Sequence, residues 1–125
     1  MEKIKIFVVD DVEIIRKMLA RMLSGEEDME IVGEEGTGQG TIIMLDEVNP
    51  DVVLLEAAVA GGMGLMDVIK EIHNVCPDAK IILVTDATSL EKVIPAAAEG
   101  VVDFISKPFQ KDMVLRTIRE AMIEN

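Results

Sequence analysis

Polar residues gather in this sequence where short apolar runs end. Asp10 and Asp11 follow Ile4, Ile6, Phe7, Val8 and Val9, and Glu56 follows Val52, Val53, Leu54 and Leu55. Thr85 and Asp86 close the run from Ile81 to Val84, and Lys107 comes after Val101, Val102, Phe104 and Ile105. A fold that brings these ends to one edge makes Asp10, Asp11 and Glu56 converge. Grouped carboxylates repel one another and stay ionised only beside a positive charge. A hard divalent cation with oxygen ligands suits them, and Mg2+ usually takes one or two carboxylates plus waters and phosphate oxygens. Lys107 adds a flexible point charge for a carboxylate or a phosphoryl group, and Thr85 adds a hydroxyl. A single strand-terminal Asp is as readily a helix cap, and a lone Lys-Pro or Thr-Asp carries no meaning. The signal is that every informative run ends in a group fitting one metal and phosphoryl site.

The elements that must position these groups alternate along the chain. Ile15, Met18, Leu19, Met22 and Leu23 recur at i, i+3, i+4, i+7 and i+8, one face of a helix that Gly25 stops. Met29, Ile31 and Val32 read as a second strand. The glycines of Gly36-Thr37-Gly38-Gln39-Gly40 are expected to loosen the start of a second helix, which runs to about Val48 before Asn49-Pro50. The run Val52 to Leu55 is continuous, as in a strand buried on both faces. A loop through Gly61-Gly62-Met63-Gly64 leads to a third helix carrying Leu65, Val68, Ile69 and Ile72 on one side. Leu90, Val93, Ile94, Ala97 and Ala98 give a fourth helix stopped by Gly100, and Val114, Leu115, Ile118 and Met122 give the last. Five such β-α units, with no linker between them, imply an α/β fold: a doubly wound parallel sheet with helices on both faces and right-handed crossovers. Polar chemistry in such sheets collects outside the carboxyl ends of the strands.

Composition bounds the function. The 125 residues suit a single domain spanning 1–125, and 50% hydrophobic content excludes disorder as a whole-chain description. Against 24 acidic residues stand 12 basic ones, a net charge of −12. That charge argues against nucleic acid and anionic membranes as partners. Arg16, Lys17 and Arg21 share one helix with no other basic cluster beside them. The one Cys and one His make neither a zinc site nor a disulfide framework, and Cys76 reads as a reduced thiol of a cytoplasmic protein. No apolar run reaches the roughly 18 residues of a membrane span. The methionines fall at helical spacing among Leu and Ile, as core packing requires. His73 lies near a helix end and is expected to face solvent.

The chain resembles a response-regulator receiver domain, similar to the single-domain chemotaxis response regulators. The residues that carry the resemblance are Val8-Val9-Asp10-Asp11, Pro50 to Leu55 leading to position 56, Gly61 and Gly64, Thr85, Ala98-Glu99-Gly100, and Phe104-Ile105-Ser106-Lys107-Pro108-Phe109. The resemblance implies a flavodoxin-like (βα)5 receiver fold with sheet order 2-1-3-4-5. It implies Mg2+ held by Asp10, Asp11, the residue at position 56 and the Ala58 backbone carbonyl. A histidine kinase would deliver a phosphoryl group to the residue closing the third strand. Lys107 would hold that group, Thr85 and Phe104 would be the switch pair, and the Lys107-Pro108 bond would be cis. The surface of the fourth helix, fifth strand and fifth helix would dock a downstream protein or a second copy as a homodimer.

Four positions depart from the family pattern. Glu56 stands where the accepting Asp belongs, Ala60 replaces a usual Pro, Asp86 replaces a small residue, and Pro95 lies within the fourth helical stretch. Glu56 moves its carboxylate outward by about 1.5 Å, one C–C bond, and a misplacement of about 1 Å costs on the order of a hundredfold in rate. The family reading is therefore of an atypical, non-enzymatic receiver: a pseudo-receiver or one resembling the phosphorylated state, the other choice being a receiver phosphorylated through Glu56. Pro95 predicts a helix that starts late, near Val93 or Ile94 after a looser Ser89 to Lys92, or one that kinks. A Mg2+-dependent phosphotransferase or phosphatase is the alternative, disfavoured because the aspartates are adjacent and no cap domain exists to close over a substrate. A flavodoxin-like cofactor binder would need a phosphate-cradling loop after the first strand, and the chain has neither Trp nor Tyr to stack a flavin.

Overall fold

The computed structural model describes residues 2–58, 63–86 and 90–123. Strands and helices alternate strictly: β1 (Ile4–Val9), α1 (Glu13–Ser24), β2 (Met29–Glu35), α2 (Gly38–Val48), β3 (Val52–Glu56), α3 (Leu65–Val75), β4 (Lys80–Asp86), α4 (Leu90–Ala98), β5 (Asp103–Lys107) and α5 (Lys111–Ile123). The strands form one sheet in the order β2-β1-β3-β4-β5, and every neighbouring pair is parallel. This is the order the resemblance implied. The cis Lys107-Pro108 bond is present as well.

Period-two alternation of side chains splits the central strands between two cores. Phe7, Val9, Val53, Leu55, Ile81 and Leu83 point to one face, where they meet Leu45, Val68, Ile69, Ile72 and Ala96 of α2, α3 and α4. Ile6, Val8, Val52, Leu54, Ile82 and Val84 point to the other and meet Leu19, Leu23, Val114 and Ile118 of α1 and α5. Both faces are covered, so these strands read as continuous apolar runs.

Several local expectations are corrected. The start of α2 is not loose: the Thr37 hydroxyl accepts the Gly40 N–H at 2.9 Å, a side-chain cap on the first turn. Gly38 is there for close approach, since a Cβ on it would lie 2.6 Å from Cγ2 of Val68 on α3. β5 begins at Asp103, with Val101 and Val102 ahead of it. His73 is half-buried rather than solvent-facing, and it packs against Gly100, whose φ of +98° suits glycine and whose missing Cβ would fall 2.9 Å from the His73 ring.

The late start of α4 is not observed either. The helix is formed from Leu90 and holds Pro95 in its interior; Ser89 lies outside the described residues. Pro95 has no N–H to give the Glu91 carbonyl four residues back. Both residues are exposed, so the missing bond falls on an exposed stretch of the helix. The opposite side of α4 buries Ala96 in the core.

Candidate functional site at the carboxyl edge of the sheet

Asp10 directly follows β1 and is 1% exposed. Its N–H donates to the Glu35 carbonyl at 3.1 Å, which ties the end of β1 to the end of β2. Its Oδ1 accepts the Val12 N–H at 2.9 Å, a tight side-chain turn leading into α1. Glu56, the last residue of β3, is also buried, and its Oε1 accepts the Ala58 N–H at 3.1 Å. Lys107 ends β5 and reaches back over the sheet edge. Its Nζ contacts Glu56 Oε2 and lies 3.5 Å from Asp10 Oδ2. Asp10 and Glu56 thus share one ammonium, a triad of two acids and Lys107. Burial works against the charge on Lys107, but the two carboxylates outweigh it and raise its pKa.

The remaining sequence-derived residues take other places. Asp11 is exposed, outside the triad. Among the described residues, no three His, Cys, Asp or Glu side chains are grouped as they would be around a metal ion. Thr85 is buried, and its hydroxyl donates to the Asp86 carbonyl at 3.4 Å. It lies in register with Ser106, and Asp86 with Lys107. Phe104 is 41% exposed on the edge strand β5. Ala58 is exposed beside Glu56, and Ala60 lies outside the described residues.

The donor set nevertheless fits a hard divalent cation. Asp10 Oδ2 and Glu56 Oε2 are buried oxygens that receive no aligned hydrogen bond; Lys107 supplies them charge without that geometry. Two such carboxylates suffice for Mg2+, whose shell is otherwise completed by water and substrate oxygens.

Sequence reasoning missed Arg16 and Gly36. The Arg16 guanidinium donates from Nη1 to the Asp10 backbone carbonyl at 2.6 Å, and Gly36 lies against it. The available signal was an Arg one turn into the helix that follows an acidic pair, on a side chain long enough to fold back.

Residues 6–119 match the response regulator receiver domain family. Chemotaxis protein CheY of Listeria monocytogenes is 33% identical over 118 residues, covering 94% of this chain and 98% of the relative. Transcriptional regulatory protein LiaR of Bacillus subtilis is 30% identical over 94% of this chain, a stretch that makes up 56% of LiaR. Among solved structures, the response regulator domain of Thermotoga maritima CheB superposes with a TM-score of 0.83 at 25% identity, covering 99% of both chains. The chain belongs to the response regulator receiver domain family, the signalling modules of two-component systems.

Proposed function

We propose that residues 1–125 act as one atypical cytoplasmic receiver, whose output state is set by the Glu56–Lys107–Asp10 triad rather than by a stable phosphoryl group. One observation carries this reading: both carboxylate oxygens of Glu56 are engaged, Oε1 with the Ala58 N–H and Oε2 with Lys107. An acceptor carboxylate needs an oxygen free to attack, and a lysine free to meet the incoming phosphoryl oxygens. Here the longer side chain brings its own negative charge to that lysine.

Asp10, Asp11, Glu56 and the Ala58 carbonyl would hold Mg2+. The ion would offset the carboxylates, while this chain's residues orient them. Magnesium at roughly 10 mM is expected to raise the melting temperature, because a ligand of the native state stabilises it; no shift would remove the cation from the reading. Thr85 and Phe104 would couple the site to the α4–β5–α5 surface, where Phe104 and Ile94 are exposed, at 41% and 78%. A histidine kinase, a downstream protein or a second copy would dock there, and nucleic acid and membranes are not expected partners.

The deciding experiment is incubation with acetyl phosphate or a kinase, followed by mass spectrometry, beside a Glu56→Asp variant. The expected result is no stable label on the natural chain and recovered label on Glu56→Asp. Stoichiometric acyl phosphate on Glu56 would overturn the reading.

A further inference from the structure

We propose that Arg16 is a positioning residue for Asp10, holding that carboxylate in the pose a cation at the sheet edge requires. The inference rests on the reading of Asp10 as a cation ligand. Asp10 is gripped from several sides: its N–H donates to the Glu35 carbonyl, its Oδ1 takes the Val12 N–H, and its Oδ2 faces Lys107. The backbone carbonyl completes the set, accepting from Arg16 Nη1 at 2.6 Å. A hydrogen bond from a charged donor is about twice as strong as a neutral one. It fixes the peptide plane between Asp10 and Asp11, the backbone from which the Asp10 side chain projects.

The guanidinium is itself built in. Arg16 keeps only 17% of its side-chain exposure, and its Nε lies 3.6 Å from Glu34 Oε1. Glu34 also pairs with Lys17 at 3.2 Å. Gly36 makes the room: a Cβ there would sit 3.3 Å from Nη1, tighter than ordinary contact. Glu34 of β2 and Gly36 of the following loop thus flank the guanidinium that Arg16 of α1 brings to the Asp10 carbonyl. Glu34 offsets the arginine's charge, so orientation outweighs repulsion of a cation.

The test uses Arg16→Met, which keeps the stem without the charge, Arg16→Lys, which keeps the charge without the planar fork, and Gly36→Ala, which alters no charge. Two readouts are taken on the intact chain. Amide exchange of Val12 reports the Asp10 Oδ1 bond without any metal, with β3 amides as the control for folding. Mn2+ titration reports cation affinity. Both Arg16 variants are expected to speed Val12 exchange by roughly fivefold or more and to weaken Mn2+ binding by about tenfold, the effect of losing an outer-shell support. Gly36→Ala is expected to shift both readouts the same way by less. Wild-type exchange of Val12 in both Arg16 variants would overturn the proposal. So would unchanged Mn2+ affinity despite faster exchange, or tighter Mn2+ binding in Arg16→Met. If the natural chain takes up no Mn2+, the cation reading fails separately, and Val12 exchange alone decides the role of Arg16.

Discussion

Replacing Lys107 by Met removes the one positive charge between two carboxylates that are 1% and 6% exposed. Taking one partner from a buried ion pair costs about 3–5 kcal/mol, because the remaining charge is left uncompensated. The Lys107 side chain keeps 28% exposure, so water relieves part of that cost. The expected loss is about 2–3 kcal/mol, read as a drop in the urea midpoint at neutral pH with an unchanged slope. For a chain of this size that corresponds to roughly 6–12 °C in melting temperature. Adding Glu56→Gln removes the stranded charge, so the double variant should recover most of the loss, with a coupling of about 1–2 kcal/mol between the sites. The pH dependence has a definite sign. Lys107 has a raised folded pKa, so its contribution is complete below the unfolded lysine value of about 10.4 and is lost only as pH rises through the higher folded value. The stability gap between the natural chain and Lys107→Met should therefore be equal at about pH 7 and pH 9. A fully stable Lys107→Met, or additive effects of the two substitutions, would refute the triad as an interacting unit.

Gly38→Ala should lose about 1–3 kcal/mol in denaturant melts, since its Cβ would press on Val68, and Val68→Ala in the same chain should restore part of that loss. Gly100→Ala should lose about 1–3 kcal/mol because φ of +98° is strained for any L side chain and the new methyl meets His73; thermal unfolding beside a His73→Ala background separates the two causes. Arg119 hydrogen-bonds Asp28 at 2.8 and 2.9 Å and Glu26 at 2.8 Å, and these bonds outweigh partial burial to hold both carboxyls below their usual range. Stability from lowered carboxyl pKa values is present above about pH 4 and lost as pH falls through the folded values, so the gap between the natural chain and Arg119→Met should narrow on acidification.

What could be read in advance follows from how far each interaction reaches along the chain. Ile6, Phe7, Val8 and Val9 alternate between two cores, and that alternation depends only on the period of a strand. The strand ends Asp10, Glu56 and Lys107 were legible because a parallel sheet puts its carboxyl ends on one side. The turn that follows Asp10 was not legible. Asp10 turns its Oδ1 back to the Val12 N–H, and a side-chain to backbone bond of that kind is settled only once the chain has folded. His73 lies next to Gly100 only after α3 and α4 have packed, and the Thr37 cap was hidden by the glycines that flank it. Pro95 misled on where α4 begins, because helix propensity weighs a missing hydrogen bond without knowing that it lies on an exposed stretch, while Ala96 holds the helix to the core.

The length of the Glu56 side chain then decides what this edge can do. A carboxylate shortened by one methylene on the same backbone would sit about 1.5 Å back, which weakens its attraction to Lys107. With Glu in place the ammonium is held by two acids, and two negative charges against one positive leave the triad with a net charge of −1. Asp11 and Asp86 add negative charge at the rim. On the proposed reading a phosphoryl donor approaching this edge would meet repulsion and a lysine already paired. A divalent cation would be drawn by that net charge, and to reach Asp10 Oδ2 and Glu56 Oε2 it would have to displace Lys107 from between them. On the proposed reading the edge would take a cation in preference to a phosphoryl group, and Glu56→Asp is expected to reverse that preference by drawing the carboxylate back from Lys107.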